Sequence, residues 1–191
     1  MWAQSLRNQT LEWEGNFLSL SAPFAAQIRI YTTLEQDQLQ LTYLAEGEYQ
    51  DQTSLAIQSD ETGIVLKEIR LPTYYNPQDK LSAHKSIASR IELGLPSTAR
   101  LDLYATNALL IVEGPLAKTN IALESGRCEL KRWRSDARIQ TRDASVFVSG
   151  RRLAVEGKSR EGEIQIEQET DPQAKVWIET ISGNIRYQKE Q

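Results

Sequence analysis

Apolar and polar residues alternate along most of this chain, the period expected of strands with one side in a core and the other in water. In "LESGRCELKRW", residues 123–133, the alternation runs on both sides of a small Ser125-Gly126 pair. Equivalents of that pair recur at Asn107-Ala108, Asp143-Ala144, Glu161-Gly162 and Ser182-Gly183. Successive spacings are 18, 18, 18 and 21, and the long step contains "ETDPQA", a Pro-containing insertion suited to a loop. Three residues after each first position stand Leu110, Cys128, Val146, Ile164 and Ile185, and five after stand Val112, Leu130, Val148, Ile166 and Tyr187. Four before stand Leu103, Ile121, Ile139, Gly157 and Ile178, where the glycine is the exception.

Self-similarity at a fixed period marks a repeat in which each unit covers its neighbour's apolar face. Eighteen residues give a contour of about 60 Å, enough for a flattened coil of short strands. A meander of antiparallel hairpins also accommodates the period, since Ser-Gly is acceptable turn chemistry. Residue type repeats at the same offset and the corners are small in every unit, which points instead to stacked coils. The pattern predicts an all-β fold: a right-handed parallel β-helix-like stack of ~18-residue coils, preceded by less regular strands. In that stack Leu110, Cys128, Val146, Ile164 and Ile185 form one interior ladder in chain order.

The first half alternates too, in "AAQIRIYTT", "DQLQLTYLAEGE" and "SLAIQSDETGIVLKEIRLP". "TYYNPQDKLSAHKS" breaks the pattern and reads as a long loop over residues 73–87. No stretch has a helical period and no linker divides the chain. A single elongated domain is expected over 1–191, with an irregular half at 10–96 and repeat coils at 97–189.

The run "IELGLPSTARLDLYATNALLIVEGPLAKTNIALESGRCELKRW", with later rungs ending in "VWIETISGNIRYQ", resembles the putative adhesin family of bacterial β-helical domains of unknown function. Relatives of the auto-transporter adhesin head type are similar. The shared features are a strand ending in "LP" and rungs with a Ser-Gly turn, over roughly residues 25–188. Asn107-Ala108, Asp143-Ala144 and Gly157 depart from the pattern. The resemblance implies an exported bacterial protein, a right-handed β-helix-like fold and no established catalytic activity, and it carries over no site residues.

Composition narrows the chemistry. With 40% hydrophobic and 25% charged residues the chain folds rather than staying disordered. A net charge of -4 argues against a general nucleic-acid binder. No apolar run reaches the ~18 residues of a membrane-spanning helix. One cysteine and one histidine cannot build a Cys/His zinc site, and neither a metal nor a cofactor is expected. The start "MWAQSLRNQ" is not an intact signal peptide, yet "WAQ" resembles the end of one. A periplasmic, secreted or cell-surface location is expected, with a cytoplasmic one as the alternative. Asn8-Gln9-Thr10 is read as a chance glycosylation tripeptide.

Cys128 falls in the interior ladder and reads as a small hydrophobe, while His84, beside Lys85 in the loop, has no positioned partner. The outward carboxylates Asp102, Glu124, Glu129, Asp143, Glu156 and Glu163 form no ladder, so a glycosidase pair has little support. The distinctive feature is basic. Residues 127–160 hold ten Lys and Arg against four Asp and Glu, a local +6 in an acidic chain. By register Arg142 and Arg160 are outside neighbours, and Arg134 and Arg152 share another edge. With Lys158 and Trp133, whose offset is outward or at a corner, these are the candidate binding residues. Trp177 and Tyr74-Tyr75 are further candidate aromatics.

The expected function is a non-enzymatic exported structural or interaction module of the bacterial envelope, adhesin-like, whose partner is an envelope protein or an anionic polysaccharide. The alternatives are an anionic-glycan-binding module and, resting on fold analogy alone, a polysaccharide-cleaving enzyme.

Overall fold

The computed structural model describes residues 5–46, 53–71 and 88–190. The loop at 73–87, with Tyr74, Tyr75 and His84, and the first four residues lie outside the described residues. The chain forms β1 (Ser5–Glu12), β2 (Phe17–Ala22), β3 (Ala25–Thr33), β4 (Gln38–Glu46), β5 (Thr53–Asp60), β6 (Gly63–Arg70), β7 (Ala88–Pro96) and β8 (Arg100–Glu113). It continues with β9 (Lys118–Trp133), β10 (Ala137–Thr141), β11 (Ser145–Gly150), β12 (Leu153–Ser159), β13 (Ile164–Ile166), β14 (Ala174–Thr180) and β15 (Ile185–Lys189).

Alternation does what the pattern demands. In β2 and β11 every second residue is buried, and β4 buries Leu39, Leu41, Tyr43 and Ala45. Two columns run through the interior. Leu20, Leu103, Ile121, Ile139 and Ile178 make one, and Ile28, Leu110, Cys128, Val146 and Ile185 the other. None of these ten is more than 3% exposed. Each fully buried aliphatic side chain contributes roughly 1.5–3 kcal/mol, so the columns hold the sheet faces together. One continuous core extends from Trp13 to Tyr187.

The first two small-residue corners lie inside long strands and the other three in short connections between strands; none is a hairpin turn. β8 and β9 run straight through Asn107-Ala108 and Ser125-Gly126 and lie parallel, with Asn107 beside Ser125 and Leu110 beside Cys128. Gly126 has φ 105°, and the Ala108 carbonyl fills the space its Cβ would take. A side chain there is excluded both by backbone conformation and by contact.

The expected right-handed parallel β-helix-like stack of coils is overturned. All 15 strands of the described residues belong to one mixed, open sheet, ordered β1-β4-β7-β3-β8-β9-β10-β14-β12 along its main path. Pairings β1–β4, β4–β7 and β5–β6 are antiparallel. Strands β2 and β3 of the first half pair with β8. The late segment is also out of chain order: β14 lies between β10 and β12, and β15 between β11 and β13. Val146 therefore meets Ile185, and Ile164 stands beyond it at the end of the ladder, 44% exposed. The "ETDPQA" insertion is what lets the chain return, because it is long enough to carry residue 174 back beside Leu153.

Where the strands of the first half meet, Glu68 is buried at 3% exposure and accepts hydrogen bonds from Phe24 N (2.9 Å) and the Ser89 hydroxyl. The Tyr43 hydroxyl is close enough to Thr53 and Glu68 to feel both, without a well-formed hydrogen bond. Burial pushes the Glu68 carboxyl above its ordinary range.

Candidate binding surface

Three chain crossings meet at one corner of the fold. The first follows β9, where Trp133 is fully buried and its Nε1 donates to the Ser135 carbonyl at 2.7 Å. That bond fixes the turn and leaves Arg134 exposed. Trp133 is thus a core anchor and not an outward platform; the alternation shifts at the corner and turns it inward. The second crossing follows β11. Gly150 packs on the Trp133 carbonyl, which accepts from Arg151 N at 3.3 Å. Arg152 then takes the left-handed conformation, φ 56°, and its N–H donates to Glu169 Oε1 at 3.1 Å. The third is the end of the insertion, where Gln173 N donates to the Arg152 carbonyl at 2.7 Å.

These crossings set Arg134, Arg151, Arg152 and Gln173 around a shallow depression of about 250 Å³. None of the three guanidinium groups has an ion-pair partner among the described residues. Glu169, the carboxylate near Arg152, is occupied by Lys189 Nζ (3.0 Å), the Tyr187 hydroxyl (3.2 Å) and Arg152 N. The Lys189 hydrogen bond holds its carboxyl below the ordinary range, so it stays ionised and engaged. Burial and Glu169 push the Tyr187 phenol up to about 12. Guanidinium forks remain charged at any working pH and suit the oxygens of sulfate, phosphate or carboxylate.

The other predicted cations do not join this cluster. Arg142 is paired to Asp143 at 2.9 Å, and Asp143 also accepts from Ser182 Oγ at 2.8 Å. Arg142 and Arg160 are not outside neighbours either, because residue 181 lies between them. Ile181 N donates to the Arg142 carbonyl (3.1 Å) and Arg160 N donates to the Ile181 carbonyl (3.1 Å). Lys158 stands in register with Glu179. Arg127 and Lys131 both pair with Glu129 (2.5 and 3.0 Å), and Arg132 with Glu113 (3.2 Å). Arg127 also stacks on Phe147, and Arg138 lies 4.6 Å over Trp177, so that aromatic is already covered. The basic stripe therefore breaks up: Arg134, Arg151 and Arg152 line one notch, Arg127, Lys131, Arg132 and Arg142 are ion-paired, Arg138 lies on Trp177, and Lys158 and Arg160 do not line the notch.

Arg151 and Gln173 were not among the residues singled out by sequence. The Arg151-Arg152 doublet after an alternating strand was a usable signal for the first. Nothing local points to Gln173, which reaches the notch only because the insertion folds back.

No protein-family model matches the chain, and no curated protein does. Among solved structures it is similar to a putative cell adhesion protein from Clostridium sporogenes, at 12% identity and a TM-score of 0.73, covering 98% of this chain and 100% of that one. It also aligns with a putative adhesin from Bacteroides fragilis (10% identity, 96% and 97% covered, TM-score 0.42). A putative lipid binding protein from Parabacteroides distasonis aligns less closely (11% identity, 95% and 96% covered, TM-score 0.32). From end to end, the chain has the adhesin-like fold of the Clostridium sporogenes protein.

Proposed function

We propose that this chain is a non-enzymatic, exported interaction module of the bacterial cell envelope, and that its arginine notch binds an anionic polymer such as an acidic polysaccharide. One observation carries the reading: Arg134, Arg151 and Arg152 converge on one open depression, while Arg127, Lys131, Arg132 and Arg142 are tied up in ion pairs. Unpaired guanidinium groups concentrate positive potential on a chain whose net charge is -4, and a flexible polyanion can supply several acidic groups to them at once. The full-length similarity to a putative cell adhesion protein supports an adhesive rather than a catalytic role and an envelope location.

Heparin affinity chromatography tests it. Wild type should be retained and elute earlier as salt rises, since exposed charges are screened over ~8 Å at physiological ionic strength. Arg134→Glu with Arg152→Glu should lose retention with thermal stability preserved. Co-elution of variant and wild type at low salt would remove the reading.

A further inference from the structure

The strands β12 and β13 end the sheet on their side. Among the described residues β12 pairs only with β14 and β13 only with β15, so each leaves a row of backbone groups without a strand partner there. The interior is open at this end. Gly157 occupies the column filled elsewhere by Leu103, Ile121, Ile139 and Ile178, and Ile164 is 44% exposed, with Val155 and Ile166 only partly buried. A Cβ on Gly157 would come within 3.1 Å of Ile166 Cδ1, so the two edges face one another across the end of the core.

The outward face of β12 has opposite charges two residues apart, Glu156 and Lys158, flanking Gly157. Within the chain the signs already alternate across strands: Glu156 bonds Lys175 at 2.8 Å, and Lys158 stands beside Glu179. An antiparallel pairing of β12 with itself about Gly157 sets Glu156 against the second copy's Lys158, and Lys158 against its Glu156. The same two-fold arrangement about Gln165 sets Ile164 against the second copy's Ile166, which continues the core. No parallel or shifted pairing of β12 with itself satisfies both charges.

We infer that the β12–β13 edge is a two-fold interface at which a second copy of this chain adds its own β12 and β13, joined by reciprocal Glu156–Lys158 pairs and by Ile164–Ile166 contacts. Edge addition supplies the missing backbone hydrogen bonds, and the reciprocal charges set the register. The inference is independent of polyanion binding, since neither strand contributes to the arginine notch.

Sedimentation velocity on the full chain across a wide concentration range tests it. Wild type should shift from monomer to dimer. Lys158→Glu places like charges opposite each other twice per interface and should raise the dissociation constant about tenfold or more. The double variant Glu156→Lys with Lys158→Glu, carried together with Lys175→Glu and Glu179→Lys so that the neighbours on β14 stay complementary, keeps the composition, exchanges the signs and should restore the dimer, which separates pairing from any folding defect. A wild type that stays monomeric throughout, a Lys158→Glu dimer as tight as wild type, a double variant as weak as the single one, or growth beyond a dimer would each overturn it.

Discussion

Val146 lies in register beside Ile185, whereas Ile164, the residue one 18-residue period further along the chain, stands on the far side of Ile185. The returning segment is thus threaded between two stretches that precede it in sequence. Its hydrogen bonds confirm the threading at the corner, where Ile181 and Ser182 N–H groups both donate to the Arg142 carbonyl.

That order fixes which ladder positions are intolerant. Val146 is fully buried between Cys128 and Ile185, so Val146→Asp should cost more than about 4 kcal/mol by placing an unpaired charge in the core. Ile164→Asp, at an exposed end of the same ladder, should cost about 1 kcal/mol or less in the monomer. Urea unfolding of both variants, at concentrations where the protein is monomeric, measures the contrast; equal costs would contradict the threading.

Gly126→Val should destabilise by about 1–3 kcal/mol, because a β-branched residue resists φ 105° and its Cβ meets the Ala108 carbonyl. The same denaturation experiment reads the loss, and a neutral result would mean that the corner relaxes freely.

Cys128 is fully buried, and burial pushes its thiol up to about 12. An aromatic disulfide reagent at mildly alkaline pH should leave it unmodified in the native protein and label it once urea unfolds the chain. Rapid labelling of the folded protein would show that the interior ladder opens.

Glu68 gives the stability a pH dependence. Its carboxyl is raised in the folded state chiefly by burial, so the native form takes up a proton more readily than the unfolded one. Its contribution is complete below the ordinary carboxyl value of the unfolded chain, 4.5, and is lost as pH rises through the raised folded value. Relative to Glu68→Gln, wild type should therefore gain stability as pH falls from neutral toward that range. Unfolding curves taken in parallel at several pH values measure the difference; a gap that widens in the opposite direction would mean that the hydrogen bonds from Ser89 and Phe24 outweigh burial.

Arg142 separates the notch from general basicity. Its guanidinium is tied to Asp143, so Arg142→Ala should leave heparin elution close to wild type, whereas Arg151→Ala should lower it. Surface plasmon resonance on immobilised heparin checks both, and equal losses would mean that charge count matters rather than placement.

Alternation alone determined much of this protein. It identified the all-β class and the inward side of nearly every strand, because a two-residue period leaves only one face for Leu103, Ile121, Ile139 or Val148 to bury. The spacing of 18 placed Leu110 beside Cys128 and Cys128 beside Val146, since only that register keeps small corners such as Gly126 together. Tertiary structure decided the rest. Strand edges carry the same backbone donors and acceptors everywhere, and Ile164 and Ile185 offer the same kind of side chain to Val146. Local sequence therefore cannot choose between them, and the length of the insertion and the fit of whole segments do. The same holds for the antiparallel pairs β1–β4 and β4–β7, whose partners lie far apart in the chain, whereas β5–β6 is a local hairpin about Glu61-Thr62. Trp133 turned inward because the bend at the end of β9 resets the alternation, and its indole found the Ser135 carbonyl. Arg134, Arg151 and Arg152 became one surface only when three crossings met, since the position of a charge in space follows from backbone paths that no single stretch encodes.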